Sequence, residues 1–222
     1  SNNTAIGVSA LSSNTTGTLN TATGVSALLS NTGGNGNTAN GANSLLANTT
    51  GAYNVGSGSQ SLYSNTTGSY NVASGADALY SNIGGNHNTG IGAGAGYYIA
   101  DGSTPNTTSD FSIYLGSNSK ASVDGAQNEV VIGYNAIGSG SNTVTIGNAS
   151  TTNNYFTGNI RGGAFIKSGG TSSQFLMADG SVNTSVLASG AYLPLTGGTL
   201  TGALNGTSAS FKVSTDRNLA TR

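Results

Sequence analysis

The chain of 222 residues has no cysteine and no tryptophan, one histidine, and charged side chains at only 6% of its positions. Without cysteine there is no disulfide framework, so stability has to come from stacking or from other chains. Residues 1 to 100 carry a single charged residue, Asp77, and no Lys, Arg or Glu. Such a surface offers phosphates nothing to pair with, and nucleic acid is excluded as an expected partner. No apolar run approaches the roughly 18 residues of a membrane span, and the first residues form neither a charged n-region nor an apolar h-region. No membrane insertion and no export signal are therefore expected. One histidine, His87, in a region poor in acids leaves little from which to build a nucleophile and base pair, so the reading is non-enzymatic.

What the chain does have is a strict repeat. Asn3, Asn20, Asn37, Asn54, Asn71 and Asn88 fall on one seventeen-residue period. Gly7, Gly24, Gly41, Gly58, Gly75 and Gly92 keep the same phase four residues on, and Leu11, Leu28, Leu45, Leu62 and Leu79 four residues later. A second Asn column starts at Asn14 and a second Gly column at Gly17. Low charge with many Gly, Ser, Thr and Asn is ordinarily the mark of a flexible segment, but disorder has no need of fixed spacing. Helix is excluded for the repeats by their Gly, Asn, Ser and Thr content and by the lack of a 3.6-residue apolar stripe.

The expected fold is all-β: an elongated parallel β-solenoid in which each unit makes a rung of two short strands, with turns at the Asn and Gly columns. Identical Asn side chains then pair along the axis as ladders. Each rung has a thin apolar interior, one Leu with a few Ala and Ser, so a lone solenoid is marginal. Leu29, Leu46, Tyr63 and Tyr80 follow the Leu column directly and supply a second apolar column for contact with neighbouring chains. Three chains around one axis is the favoured arrangement.

By organisation, residues 1–97 read as the seventeen-residue solenoid and 98–126 as a loop excursion from the stack. Residues 127–157 follow a fourteen-residue repeat, 158–190 form a connector, and 191–222 a fibre-type segment. The fourteen-residue repeat is carried by Asn128-Glu-Val-Val-Ile-Gly133 and Asn142-Thr-Val-Thr-Ile-Gly147. This N-x-V-x-I-G motif resembles the head repeat of YadA-like trimeric autotransporter adhesins, whose chains form left-handed β-rolls assembled as trimers. Ser168-Gly-Gly-Thr-Ser-Ser-Gln-Phe-Leu-Met-Ala-Asp-Gly-Ser-Val182 and Tyr192-Leu-Pro-Leu-Thr-Gly-Gly-Thr-Leu-Thr-Gly-Ala-Leu204 resemble segments of bacteriophage tail fibres. Together the resemblances imply a homotrimer, intertwined or side by side, with other tail or baseplate proteins and a host surface glycan or protein as partners. They imply a place in a virion tail fibre, the alternatives being a bacterial cell-surface adhesin and a polysaccharide-degrading tailspike.

Candidate receptor contacts are Tyr53, Tyr70, Tyr97, Tyr98 and Asp101, because tyrosine faces beside Asn, Ser and Thr suit sugar recognition. Interchain packing explains these tyrosines as well. Asp101, Asp110, Asp124 and Glu129 are the carboxylates that glycoside cleavage would need, and ordinary surface charges are the simpler reading. If its column faces a three-fold axis, His87 would bring three imidazoles together as a metal or anion site, although a solvated turn residue is the simpler reading. No cofactor is expected.

Overall fold

The computed structural model describes residues 2–155 and 157, and the strands Phe175–Leu176 and Val182–Asn183. The first unit, Ser1–Tyr155, contains nine three-residue strands: β1 Thr4–Ile6, β2 Thr21–Thr23, β3 Thr38–Asn40, β4 Val55–Ser57, β5 Val72–Ser74, β6 Thr89–Ile91, β7 Ile113–Leu115, β8 Val130–Ile132 and β9 Val144–Ile146. They form one parallel sheet in sequence order, a β-solenoid of about eight turns with no helix among the described residues. In the second unit β10, Phe175–Leu176, pairs antiparallel with β11, Val182–Asn183. The connector 158–190 and the fibre-type segment 191–222 otherwise lie outside the described residues.

Register follows the repeat: Thr4 pairs Thr21, Thr21 pairs Thr38, Thr38 pairs Val55 and Val55 pairs Val72. The central residue of each strand from β2 to β8 is buried in the interior, Ala22, Ala39, Ala73, Tyr114 and Val131 completely. The Leu column lies opposite, with Leu28, Leu45, Leu62 and Leu79 at most 1% exposed.

The second half of each turn differs from the expected strand. Leu11, Leu28, Leu45, Leu62 and Leu79 all have left-handed backbones, with φ between 49° and 54°. So do the residues two positions earlier, such as Ser26 at 56° and Asn43 at 59°. Left-handed residues at every second position break a strand into successive turns. Leu29 N–H donates to Ser26 O at 3.3 Å and Asn31 N–H to Leu28 O at 3.2 Å, whereas Leu28 N–H donates across to Ser44 O at 3.0 Å and Ser30 N–H to Leu46 O at 3.0 Å. Every other amide thus stays in the inter-turn ladder. A left-handed Leu costs about 1–2 kcal/mol, and full burial of its side chain, about 1.5–3 kcal/mol, offsets it.

Neither Asn column adopts the left-handed turn geometry expected of it. Asn20, Asn37, Asn54, Asn71 and Asn88 point into the interior and are at most 1% exposed. The Oδ1 atoms of Asn20, Asn37, Asn54 and Asn71 accept the backbone N–H of the equivalent Asn one turn on, as in Asn37 N–H to Asn20 Oδ1 at 2.9 Å and Asn71 N–H to Asn54 Oδ1 at 3.0 Å. In the second column the carboxamides bond directly to one another: Asn31 to Asn14 at 2.9 Å, Asn48 to Asn31 at 2.8 Å, Asn65 to Asn48 at 2.7 Å and Asn82 to Asn65 at 2.8 Å. The Asn ladders exist, and they satisfy buried backbone in a core with little apolar bulk. Gly34 has to be glycine for space, because a Cβ there would collide with Gly51 O and Asn31 Oδ1.

The stretch 98–126 does not leave the stack. It contains β7, which pairs with β6 (Thr89 with Ile113) and with β8 (Ile113 with Val130). The sixth turn is lengthened to a twenty-four-residue offset, seen where Ser112 N–H donates to Asn88 Oδ1 at 3.0 Å. The extra length is a small loop pinned by the Tyr98 and Pro105 bridge, after which Asn106 re-enters a buried position. Packing changes to match. Gly96 replaces the Leu, and a Cβ on it would stand 2.6 Å from Tyr114 Cδ2, so the Tyr114 ring fills the place of the missing side chain.

β8 and β9 are offset by fourteen residues, Val130 pairing with Val144. The Asn of the fourteen-residue motif is not equivalent to the Asn of the longer one. Asn128 and Asn142 are left-handed, at 52° and 62°, and Asn128 is exposed, in the column of Tyr70 and His87. The inward Asn position is taken at β8 by Glu129, which is fully buried.

Candidate functional site: two aromatic ladders and a loop-covered cleft

Equivalent residues on adjacent turns sit one strand spacing apart, about 4.8 Å, close to the stacking distance of aromatic rings. Repeated aromatics in one column therefore stack. The first ladder runs Tyr53, Tyr70, His87, Phe111, with ring centroids 5.1, 4.8 and 5.0 Å apart. Each member is left-handed and exposed, and each stands just before an inward position held by Asn or Ser. Both faces of the Tyr70 and His87 rings are covered by neighbours. Tyr53 has Tyr70 on one side and Gly36 on the other, where a Cβ would lie 2.8 Å from Tyr53 Cδ1. What Tyr53 and Tyr70 offer a receptor is ring edges and hydroxyls. His87 likewise keeps only its ring edge, lying 4° from parallel with Tyr70 and 6° from parallel with Phe111. Among the described residues no three His, Cys, Asp or Glu side chains of one chain cluster as metal ligands.

The second ladder is half-buried and runs Tyr63, Tyr80, Tyr97, Tyr98, with centroids 4.8, 4.6 and 4.0 Å apart. Leu29 and Leu46 continue its column toward the first turns. Burial, followed by the neighbouring tyrosines, pushes the phenols of Tyr80 and Tyr97 above their ordinary range.

Tyr98 opens the inserted loop, and Asp101 organises it. The Asp101 carboxylate accepts Ser103 N–H at 2.8 Å, Thr104 N–H at 2.7 Å and the Thr104 hydroxyl at 2.5 Å. These bonds, the Thr104 hydroxyl foremost, lower its pKa to about 2. Asp101 thus shapes the loop, and its acceptor atoms face inward to that turn. Under the loop, Gly94, Tyr98, Gly102, Asn118, Lys120 and Asn135 enclose an open cleft of about 230 Å³. Sequence reasoning found Tyr98 and missed Lys120, Asn118 and Asn135, which the stacking of later turns brings to the loop.

Asp110, Asp124 and Glu129 are engaged locally. Asp110 accepts Asn86 N–H at 2.6 Å. Asp124 accepts the Thr107 hydroxyl at 2.6 Å and the N–H groups of Thr107 and Thr108 at 2.7 and 2.9 Å. Burial raises its pKa, and these bonds together outweigh that and lower it. Glu129 is no surface charge: it lies inside the stack and accepts Ser122 N–H at 3.1 Å and Gly140 N–H at 2.9 Å.

The outer face of the sheet is a third surface. The first and last residues of each strand face outward and become apolar along the stack: Val55, Val72, Ile91, Ile113, Leu115, Val144 and Ile146 are all exposed. Comparison with protein families, with curated proteins and with solved structures finds no match for this chain.

Proposed function

We propose that this chain is a non-enzymatic structural and adhesive subunit of a homotrimeric fibre, part of a bacteriophage tail fibre that attaches the virion to its host cell. The observation that carries this reading is the outer sheet face. Ile91 is 43% exposed, Ile113 and Leu115 each 40% and Val144 66%, on β6, β7 and β9 of one parallel sheet, with the half-buried Val130 and Ile132 of β8 between them. A row of large aliphatic side chains on a regular sheet is an interaction surface in want of a partner. Three copies around one axis would bury it, and the Tyr53 to Phe111 ladder beside it would extend the contact.

The inner Asn ladders supply stiffness and the repeated turns supply length, which suits a rod bearing many weak contacts. Avidity across three chains then raises the effective affinity of each. The motif resemblances to YadA-like head repeats and to tail-fibre segments support the same assignment. A bacterial cell-surface trimeric adhesin would use the same architecture, and the tail-fibre-like segment Tyr192 to Leu204 favours the virion.

Light scattering tests the assembly. The expected particle contains three chains of 21.7 kDa each, and a stable folded particle of one chain mass would refute the trimer. Adsorption of the labelled protein to bacterial cells tests attachment, and the neighbouring reading frames distinguish virion from bacterial ownership.

A further inference from the structure

The residues inserted in the sixth turn create a site as well as a loop. Gly94, Asn118 and Asn135 occupy one column on three successive turns, with left-handed backbones at 64°, 54° and 51°. Their amides hold the ladder: Gly94 to Ala76 O at 2.9 Å, Asn118 to Ala93 O at 2.8 Å and Asn135 to Ser117 O at 2.9 Å. Gly94 contributes no side chain, and a Cβ on it would stand 2.6 Å from Asn118 Oδ1, so a glycine forms the floor beside that carboxamide. Tyr98 and Gly102 of the loop close one side.

Lys120 gives this cleft its chemistry. It is the only Lys or Arg between residues 1 and 155. Its ammonium donates to the backbone carbonyl of Asn118 at 3.3 Å and to the Asn135 side-chain oxygen. Both partners are neutral and an ammonium has three donors, so its charge is not cancelled by these bonds and a donor is left over. Asp101, Asp110 and Asp124 are turned to local N–H and hydroxyl groups instead. One cation, two carboxamides and a tyrosine are the complement of a hydroxylated ring with one negative charge. The ammonium pairs with the anion, each carboxamide both donates to and accepts from hydroxyls, and tyrosine takes the C–H surface. At about 230 Å³ the cleft is smaller than a drug-sized pocket and fits a single sugar unit.

We infer that the cleft formed by Tyr98, Lys120, Asn118 and Asn135 binds a carboxylate-bearing sugar unit, such as a uronic acid residue of a surface polysaccharide. This rests on the attachment function proposed above and names the chemical class of its receptor.

The test is ligand-observed NMR titration of the full chain with methyl β-D-glucuronide, methyl β-D-glucoside and glucose 6-phosphate. The glucuronide is expected to bind about tenfold or more tightly than the glucoside, and to weaken with added salt. Lys120→Met is expected to bring the glucuronide down to the level of the glucoside, while Tyr98→Ala weakens both sugars. Equal affinity for glucuronide and glucoside, or undiminished glucuronide binding by Lys120→Met, overturns the inference. Tighter binding of glucose 6-phosphate overturns the carboxylate assignment in favour of phosphate. Cell adsorption measured in parallel separates the two levels: adsorption without glucuronide preference sinks the cleft alone, and glucuronide preference without adsorption sinks the attachment reading alone.

Discussion

Asn20 and Asn31 donate to the same atom, the carbonyl oxygen of Gly34, at 2.8 and 3.1 Å. The arrangement recurs with Asn37 and Asn48 on Gly51, Asn54 and Asn65 on Gly68, and Asn71 and Asn82 on Gly85. One glycine carbonyl per turn therefore ties the two Asn ladders together, and each ladder is a structural support of the other.

Replacing one member of this system is expected to be expensive. Asn54→Leu removes the acceptor of Asn71 N–H and leaves that buried group without a partner. A loss of about 2–4 kcal/mol is expected, since each orphaned buried group costs about 1–3 kcal/mol. Thermal or denaturant unfolding measures it, and a change below about 0.5 kcal/mol would show that the ladder contributes little.

Glu129 joins the last long turn to the first short one. Its carboxylate spans Ser122 N–H and Gly140 N–H, a reach that Asn at the same position lacks. Glu129→Ala is expected to raise amide hydrogen exchange in β8 and β9 by about tenfold or more while leaving β1 to β4 unchanged, because turns of a stack contact only their neighbours. Uniform loosening of all nine strands would contradict this.

The loop of the sixth turn is expected to be removable. Deleting residues 98–104 restores the seventeen-residue offset, because Asn106-Thr-Thr resumes the pattern of Asn48-Thr-Thr and Asn65-Thr-Thr. The shortened chain should keep its far-ultraviolet circular dichroism and its oligomeric mass while losing the cleft. Loss of folding would mean that the loop holds up the turns on either side.

Acid should open that loop before it opens the stack. The Asp101 pKa in the folded chain, about 2, lies below its ordinary value of 3.8, so the stabilisation it provides is complete above about pH 4 and is lost as pH falls toward 2. Amide resonances of Ser103 and Thr104 should shift together over that window, with the midpoint near the lower end. A midpoint near 4 would show that the three bonds to Asp101 do not persist in solution.

Much of this architecture was legible in the spacing of residues. Repeated Asn, Gly and Leu at one period can be satisfied only by turns stacked in register, and the inward Leu column and the axial pairing of Asn both follow from that. Backbone geometry was not legible. Left-handed conformation was expected of Asn and Gly by intrinsic preference. The first Gly column does have positive φ, as at Gly24 (136°), but the Asn columns do not. The conformation falls also on Leu28, Leu45 and Tyr70, where burial of the Leu side chains and inter-turn bonding outweigh the local preference. The likeness of the two Asn-containing motifs likewise does not reveal that Asn128 faces outward where Asn88 faces inward, because one residue of displacement exchanges the two positions. The seventh turn was hidden because an insertion moves every later column out of phase. The signal that would have revealed it is the recurrence of Asn-Thr-Thr at Asn106. Lys120 carried no signal, as a lone lysine acquires meaning only from what the fold sets around it.

The carboxamides of the second Asn ladder all point the same way. Asn31 donates to Asn14, Asn48 to Asn31, Asn65 to Asn48 and Asn82 to Asn65, each from the later turn to the earlier. A row of amides aligned head to tail adds its dipoles and polarises each bond in the chain. The stack is thus an arrow as well as a rod. A turn laid down in reverse would set acceptor against acceptor, so every turn added in correct orientation excludes the opposite one for the next.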